Sequence, residues 1–141
     1  MSKQLIIIIG LPGSGKTTLT QKYKNKGYKI YDDFIDHFIN YKLMKSIISG
    51  KNICINDPRL CNIKIFNFYI RIFQKYINKE NIFLILFKNE PDKCIKNIKN
   101  NNNYNDITKI KKNNSINKLT VLYDINNYID YKNKIISVYS I

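Results

Sequence analysis

The chain has 141 residues, and its 24 lysines and arginines outnumber 10 aspartates and glutamates, which gives a formal net charge of +14. A hydrophobic fraction of 44% predicts a single folded domain over residues 1–141 and excludes an intrinsically disordered chain. The longest apolar runs have the length of a strand, which excludes a transmembrane helix and a membrane as partner.

The first predicted element is a buried strand at residues 5–9, and the residues after it match the phosphate-loop pattern G-x-x-x-x-G-K-[ST] without a mismatch. Glycines in such a loop let successive backbone N–H groups turn toward phosphate oxygens. Lys16 would contact the β- and γ-phosphates, and the Thr17 hydroxyl would bind Mg²⁺. We therefore predict ATP and Mg²⁺ as cofactors. The predicted nucleotide-binding residues are Gly10, Leu11, Pro12, Gly13, Ser14, Gly15, Lys16, Thr17 and Thr18.

A helix is predicted directly after the loop, at residues 17–26, because apolar residues recur at helical spacing and Gly27 suits its end. Residues 28–31 then form a short second strand. Asp32 and Asp33 follow this strand, so that both carboxylates are expected at its carboxyl end.

A second helix is predicted from residue 34 to residues 49–50, with Asp33 and Asp36 in its first turn and Asp33 as its cap. His37, the only histidine, lies within this helix and away from other candidate ligands. A general base must lie beside the proton that it accepts, so His37 is not assigned a role in the chemistry.

The third predicted strand, at residues 52–56, ends next to Asp57. A carboxylate after a buried strand, beside a phosphate loop, is typical of the acid that holds Mg²⁺. An aspartate that forms a turn before Pro58 is the alternative interpretation. Arg59 lies two residues further on, where it is expected to reach a phosphate or the acceptor.

A long and nearly all-apolar helix is predicted at residues 62–79, followed by a fourth buried strand at residues 82–87. A fourth helix begins at residues 90–92, where the proline suits a first turn. Its basic side chains follow one another at three-residue spacing and are Lys93, Lys96 and Lys99.

The most polar stretch, at residues 100–105, predicts a mobile lid over the triphosphate, at about residues 96–106. A solvated insertion without a function is the alternative. The remaining elements are expected to be two short helices capped by Asp106 and Ser115, and a fifth strand. Their predicted ranges are 107–112, 116–123 and 135–139.

The alternation of strands and helices predicts an α/β fold, with a five-stranded, mostly parallel sheet and helices on both faces. Ligands of such sheets bind outside the carboxyl ends of the strands. Gly10, Asp32 and Asp57 all follow predicted strands, so these three independently predicted site residues are expected at one edge of the sheet.

The loop, the acid pair Asp32-Asp33 and Asp57 together resemble the small P-loop kinases of the polynucleotide-kinase-like group, which are frequent in phages and large DNA viruses. The resemblance covers most of residues 4–100 and implies the P-loop NTPase fold. It implies that Asp32 deprotonates the acceptor hydroxyl and that Asp57 lies on the metal and acceptor side. The family's lid arginines are missing, because residues 94–101 carry lysine and asparagine instead.

These features predict an ATP-dependent phosphotransferase that moves the γ-phosphoryl group to a nucleotide, a nucleoside or a nucleic-acid 5′-hydroxyl. Lys16, Asp32 and Arg59 are the predicted catalytic residues, and Thr17 and Asp57 the predicted metal ligands. Two alternatives remain open: a slow NTPase or nucleotide-dependent switch, and a degenerate nucleotide-binding protein without transfer activity. The sequence predicts neither the acceptor nor the oligomeric state.

The net charge of +14 has two explanations. It suits an anionic partner such as nucleic acid, but lysine, asparagine, isoleucine and tyrosine crowd the whole chain, as an AT-rich genome would produce. Cys54, Cys61 and Cys94 fit neither a metal spacing nor a disulfide framework. Buried reduced thiols and a cytoplasmic location, in the host cytoplasm for a viral protein, are therefore expected.

Overall fold

The computed structural model describes residues 3–139, apart from the side chains of residues 37–39. Five strands form one sheet in the order β2-β3-β1-β4-β5, and every neighbouring pair is parallel. The strands are β1 (Leu5–Ile9), β2 (Lys29–Asp32), β3 (Ile53–Asn56), β4 (Ile82–Phe87) and β5 (Lys132–Ile136). The helices are α1 (Lys16–Asn25), α2 (His37–Ile48), α3 (Ile63–Phe73), α4 (Pro91–Lys99) and α5 (Asp106–Thr120). The predicted α/β fold with a five-stranded parallel sheet is confirmed.

Strand β1 lies at the centre of the sheet because its sequence can be buried on both faces. All five of its residues are buried, and Ile7 pairs with Ile55 of β3 on one side and with Leu84 of β4 on the other. Burying each such side chain stabilises the fold by about 1.5–3 kcal/mol. This rigid centre fixes the position of the loop that follows β1.

The carboxyl ends of β1, β2 and β3 meet at one edge of the sheet. In the register of the strands, Asn56 at the end of β3 lies between Ile8 of β1 and Asp32 of β2. The polar ends of β2 and β3 are thereby brought beside the loop after β1, as parallel pairing requires.

Two helices are shorter than the sequence predicts. Helix α2 begins at His37 and not at residue 34. Asp33 takes a left-handed conformation with φ 51°, and residues 33–36 form a turn in which the Asp36 N–H donates to the Asp33 carbonyl. This turn delays the start of the helix. Asp36, not Asp33, is the residue before the helix, so the prediction of Asp33 as its cap was wrong. Helix α3 ends at Phe73, after which the chain turns so that Ile77 packs into the core.

The C-terminal third differs more from its predicted elements. One helix, α5, replaces the two predicted short ones; Asn105 caps it by accepting from the Thr108 N–H at 2.8 Å, and Ser115 lies within it. Strand β5 occupies residues 132–136, so residues 137–139 lie beyond the sheet. Periodicity was weak in both segments, and packing against the rest of the chain set their limits. No helix within residues 3–139 is long and apolar enough to cross a membrane.

Candidate nucleotide-binding site

The loop between β1 and α1 has the backbone of a phosphate cradle. Gly13 has φ 82° and Gly15 has φ 105°, both in the left-handed region that glycine adopts without strain. Gly15 directly precedes α1, and no side chain caps the helix. The first N–H groups of α1 and the positive end of its dipole are therefore not capped by a side chain and suit an anion, as in other phosphate loops.

Two other segments pack so closely on this loop that side chains are excluded. A Cβ atom added at Gly13 would lie 2.6 Å from the Cys94 carbonyl oxygen of α4, and one at Gly15 would lie 2.3 Å from the ring of Tyr139. Both glycines are thus required twice, once for their backbone angles and once for the space around them.

Lys16 is folded back onto the loop. Its ammonium group donates to the carbonyl oxygens of Gly10 at 2.9 Å and Leu11 at 2.7 Å. Burial lowers the pKa of Lys16 from 10.5 to about 8, although the neighbouring thiols of Cys61 and Cys94 act in the opposite direction. The loop carbonyls take the position of an anionic partner but carry no full charge, so a phosphate would bind this ammonium group more strongly.

A cavity of about 760 Å³ opens over the loop. Of the predicted nucleotide-binding residues, those that line it are Pro12, Gly13, Gly15, Lys16, Thr17 and Thr18. Gly10, Leu11 and Ser14 belong to the same loop but are buried and do not line the cavity. Asp32, Asp33 and Asn56 line the same cavity, so both members of the acid pair lie at the loop.

The two aspartates of the pair have different surroundings. Both are exposed, but only for Asp32 does a carboxylate oxygen accept a hydrogen bond from the side-chain amide of Asn56. Burial raises the pKa of Asp33 above its ordinary value, with further contributions from Asp57 and Asp36 and an opposing one from Arg59. Among the described residues, Asp33 is also the only non-glycine residue with a positive φ.

Asp57 and Arg59 lie next to this cavity but do not line it. Asp57 is fully buried; its carboxylate accepts from the Arg59 N–H and Nε at 2.9 Å, from the Arg59 guanidinium at 2.7 Å and from the Ile35 N–H at 3.3 Å. The same guanidinium bonds Asp36 at 2.9 Å, and these partners raise the pKa of Arg59. Asp57 also caps the 3₁₀ helix Pro58–Cys61, which is the turn-forming arrangement considered as its alternative role.

Among the residues at the site that the sequence did not single out are two lysines, an asparagine and a tyrosine. Asn97 of α4 is buried and donates to the Gly13 carbonyl at 2.9 Å and to the Tyr139 carbonyl. Tyr139 in turn donates its N–H to the Ser14 carbonyl at 3.1 Å and lies against the Phe87 ring. Lys111 and Lys112 of α5 line the cavity.

The lysines on the basic side of α4 lie away from the cavity. Lys93, Lys96 and Lys99 do not line the cavity, and Lys93 pairs with Glu90 at 2.8 Å. The face of α4 that carries Cys94, Asn97 and Ile98 packs on the loop instead. Helical spacing identified a basic side of α4, but only packing shows which side meets the loop.

A comparison with solved structures agrees with this architecture. The structure of deoxyadenosine kinase from M. mycoides with bound dATP has a TM-score of 0.53 to this chain and 17% identity, and the match covers 94% of this chain and 90% of that one. At this identity the likeness shows the fold alone, an α/β architecture around a five-stranded parallel sheet.

No family model matches the chain. The protein named Uncharacterized protein R277 of Acanthamoeba polyphaga mimivirus is 42% identical over 141 residues, which are 99% of this chain and 99% of that protein. The chain therefore belongs to the same family as this mimivirus protein.

Proposed function

We propose that the protein is an ATP-dependent kinase that transfers the γ-phosphoryl group to a hydroxyl or phosphate group of a nucleoside, nucleotide or nucleic-acid acceptor. The observation that carries the proposal is a single cavity lined by the phosphate loop, by Lys16 and by the carboxylates of Asp32 and Asp33. A phosphate cradle alone suits any nucleotide-binding protein. A carboxylate facing the same space adds a group that can accept a proton from an acceptor.

Nucleotide binding would exchange the present contacts of Lys16 for phosphate oxygens. Lys16 leaves the carbonyl oxygens of Gly10 and Leu11 and contacts the β- and γ-phosphates, while backbone N–H groups of residues 13–17 surround them. Transfer breaks the bond between the γ-phosphorus and the bridging oxygen that stays with ADP, and forms a bond to the acceptor oxygen. Asp32 accepts the proton of an acceptor hydroxyl.

The oxygen ligands around the loop fit Mg²⁺ that arrives with the nucleotide. Among the side chains that the structure describes, no three of His, Cys, Asp or Glu form a metal site by themselves. Mg²⁺ commonly uses one or two protein oxygens together with phosphates and water. The ion would neutralise charge on the phosphates. The exposed Thr17 hydroxyl would hold it, and Asp57 would have to release Arg59 before binding it directly.

A slow NTPase or a nucleotide-dependent switch is the second candidate, and one observation favours it. No arginine is among the residues that line the cavity in the described part of the chain, so no planar, bidentate group faces the transferring phosphoryl. Lysines neutralise charge there without this geometry, which suits binding better than fast transfer.

A transfer assay with Asp32→Asn separates the two candidates. Radiolabelled ATP is offered with thymidine, thymidine monophosphate and a DNA strand that ends in a 5′-hydroxyl. We expect labelled product from at least one acceptor, a loss of about 10²–10⁴-fold in transfer rate for Asp32→Asn, and unchanged ATP affinity. Asp130→Asn, an exposed carboxylate outside the cavity, is the matched control.

Absence of transfer to every acceptor, with ATP hydrolysed or merely bound, would favour the switch. Transfer that survives Asp32→Asn at the wild-type rate would remove the proposed base. Asp33→Asn is assayed in parallel, because both carboxylates line the cavity.

A further inference from the structure

A second cavity of about 400 Å³ lies beside the first and shares two residues with it. The shared residues are Thr17, the proposed metal ligand, and Asp32, the proposed base. An acceptor whose hydroxyl reaches Asp32 therefore has two spaces to occupy, one toward the phosphate loop and one away from it.

The walls of the second cavity come from α1 and from β2, the strand at the edge of the sheet. Thr17, Thr20, Gln21 and Lys24 follow helical spacing and form one face of α1. Lys24 lies seven residues after Thr17, which is about 10 Å along the helix axis. Lys24 is thus too distant to share the phosphates of a nucleotide held by Lys16 and faces a different part of a ligand.

The charges in this cavity favour an anion. Lys24 and Lys29 are exposed side chains that line it, and within residues 3–139 neither forms a salt bridge. The one carboxylate in its lining is Asp32, whose proposed role lies toward the loop. Tyr28, which is half-buried and held by its hydroxyl to the Gln4 side chain at 2.9 Å, adds an aromatic surface. Two cations and an aromatic ring suit a phosphate group together with a base or sugar.

We propose that this second cavity, between α1 and β2, binds a phosphate-bearing part of the acceptor, so that the acceptor is a nucleotide or a nucleic-acid strand and not a free nucleoside. The inference rests on the proposed function and adds the class of acceptor to it. Lys24 and Lys29 contact the acceptor's own phosphate, while the acceptor group that receives the phosphoryl lies at Asp32.

The double variant Lys24→Ala/Lys29→Ala tests this proposal. Binding of a fluorescent oligothymidylate with a 5′-hydroxyl is measured by anisotropy without ATP, and thymidine monophosphate and thymidine are compared as competitors. We expect the variant to lose about tenfold or more in affinity for the phosphate-bearing ligands, with a salt dependence of log affinity that is shallower by about 1 per lysine. Weak thymidine binding and ATP affinity should be unchanged.

Lys22→Ala/Lys51→Ala is the matched control, since both lysines are exposed, lie outside the two cavities and remove the same charge. Equal losses in the two double variants, or equal binding of thymidine and its phosphorylated forms, would overturn the proposal. A loss confined to the oligothymidylate identifies a strand as acceptor, and a loss shared with the monophosphate identifies a nucleotide.

Transfer measured on the same proteins separates this proposal from the proposed function. Lysine-dependent binding without transfer to any acceptor would leave the second cavity as an anion site and refute the kinase. If the Lys24→Ala/Lys29→Ala variant transfers phosphoryl to thymidine at the wild-type rate, the kinase activity is supported and the second cavity has no role in binding the acceptor.

Discussion

At the scale of single residues, the loop itself holds the Lys16 ammonium group, which donates hydrogen bonds to the loop's own carbonyl oxygens. Its ammonium group contacts two loop carbonyls, and the thiols of Cys61 and Cys94 lie in the same buried surroundings. Burial disfavours the charged form, so that the pKa of Lys16 falls to about 8. The residue that must supply a positive charge thus loses it within a readily accessible pH range.

We expect ATP binding to take up protons at alkaline pH. Above about pH 8 an increasing fraction of Lys16 is neutral in the free protein, and a bound triphosphate favours the ammonium form and raises the pKa again. ATP affinity therefore falls as the pH rises above about 8. Calorimetry in buffers of different ionisation enthalpy should detect uptake approaching one proton near pH 9 and almost none near pH 7.

The neighbouring thiols do not interfere, because burial raises the pKa of Cys61 to about 12 and that of Cys94 to about 11. Lys22→Ala, which changes an exposed lysine of the same helix, should take up protons like the wild type. Equal proton uptake at both pH values would contradict the assignment to Lys16.

At the scale of elements, α4 and α5 have different relations to the loop. Helix α4 supports it through Asn97 and the close contact at Gly13, whereas α5 brings Lys111 and Lys112 to the cavity. Lys112 also lies 4.9 Å from the centre of the Tyr104 ring, which restricts its side chain. The cations near the bound phosphates are therefore expected from α5, not from the basic side of α4.

Removing the cations of α5 should slow phosphoryl transfer. Lys111→Ala/Lys112→Ala takes two positive charges from the cavity, where charge develops on the transferring group, and we expect kcat/KM to fall at least about tenfold. Lys96→Ala/Lys99→Ala removes the same charge from α4, outside the cavity, and should keep kcat/KM near the wild-type value. If the α4 variant loses as much as the α5 variant, general charge and not position determines the rate.

At the scale of the whole molecule, buried tyrosines connect the C-terminal segments to the sheet and its loops. Tyr128 is fully buried, and its hydroxyl donates to the Leu60 carbonyl at 2.6 Å, in the 3₁₀ helix that Asp57 caps. Tyr123 donates similarly to the Phe87 carbonyl at 2.6 Å. Segments more than thirty residues apart are thereby joined around the site.

Loss of one such hydroxyl should lower the stability of the whole domain. Tyr128→Phe leaves the Leu60 carbonyl without this donor in a buried place, and we expect the free energy of unfolding to fall by about 1–3 kcal/mol. Tyr41→Phe, at an exposed position of α2, should change it by less than about 0.5 kcal/mol. Urea denaturation measures both, and a Tyr128→Phe protein as stable as the control would show that the hydrogen bond adds little.

Much of this architecture could be predicted from local pattern. The five apolar residues of β1 can be satisfied only by burial on both faces, and the glycine spacing after them requires a loop that turns N–H groups inward. Alternation of strands and helices then leads to a parallel sheet. The positions of Lys16 and Asp32 at one edge follow from this topology, because parallel strands end on the same side.

Contacts between distant segments could not be predicted in this way. The ion pair of Arg59 with Asp36, the packing of Asn97 and Tyr139 on the loop, and the presence of Lys111 in the cavity each depend on how separate elements pack. A carboxylate after a strand looks the same in sequence whether it faces a metal ion or an arginine. Only the tertiary structure shows that the Asp57 carboxylate is buried and bonds Arg59, because packing determines which groups share the buried space.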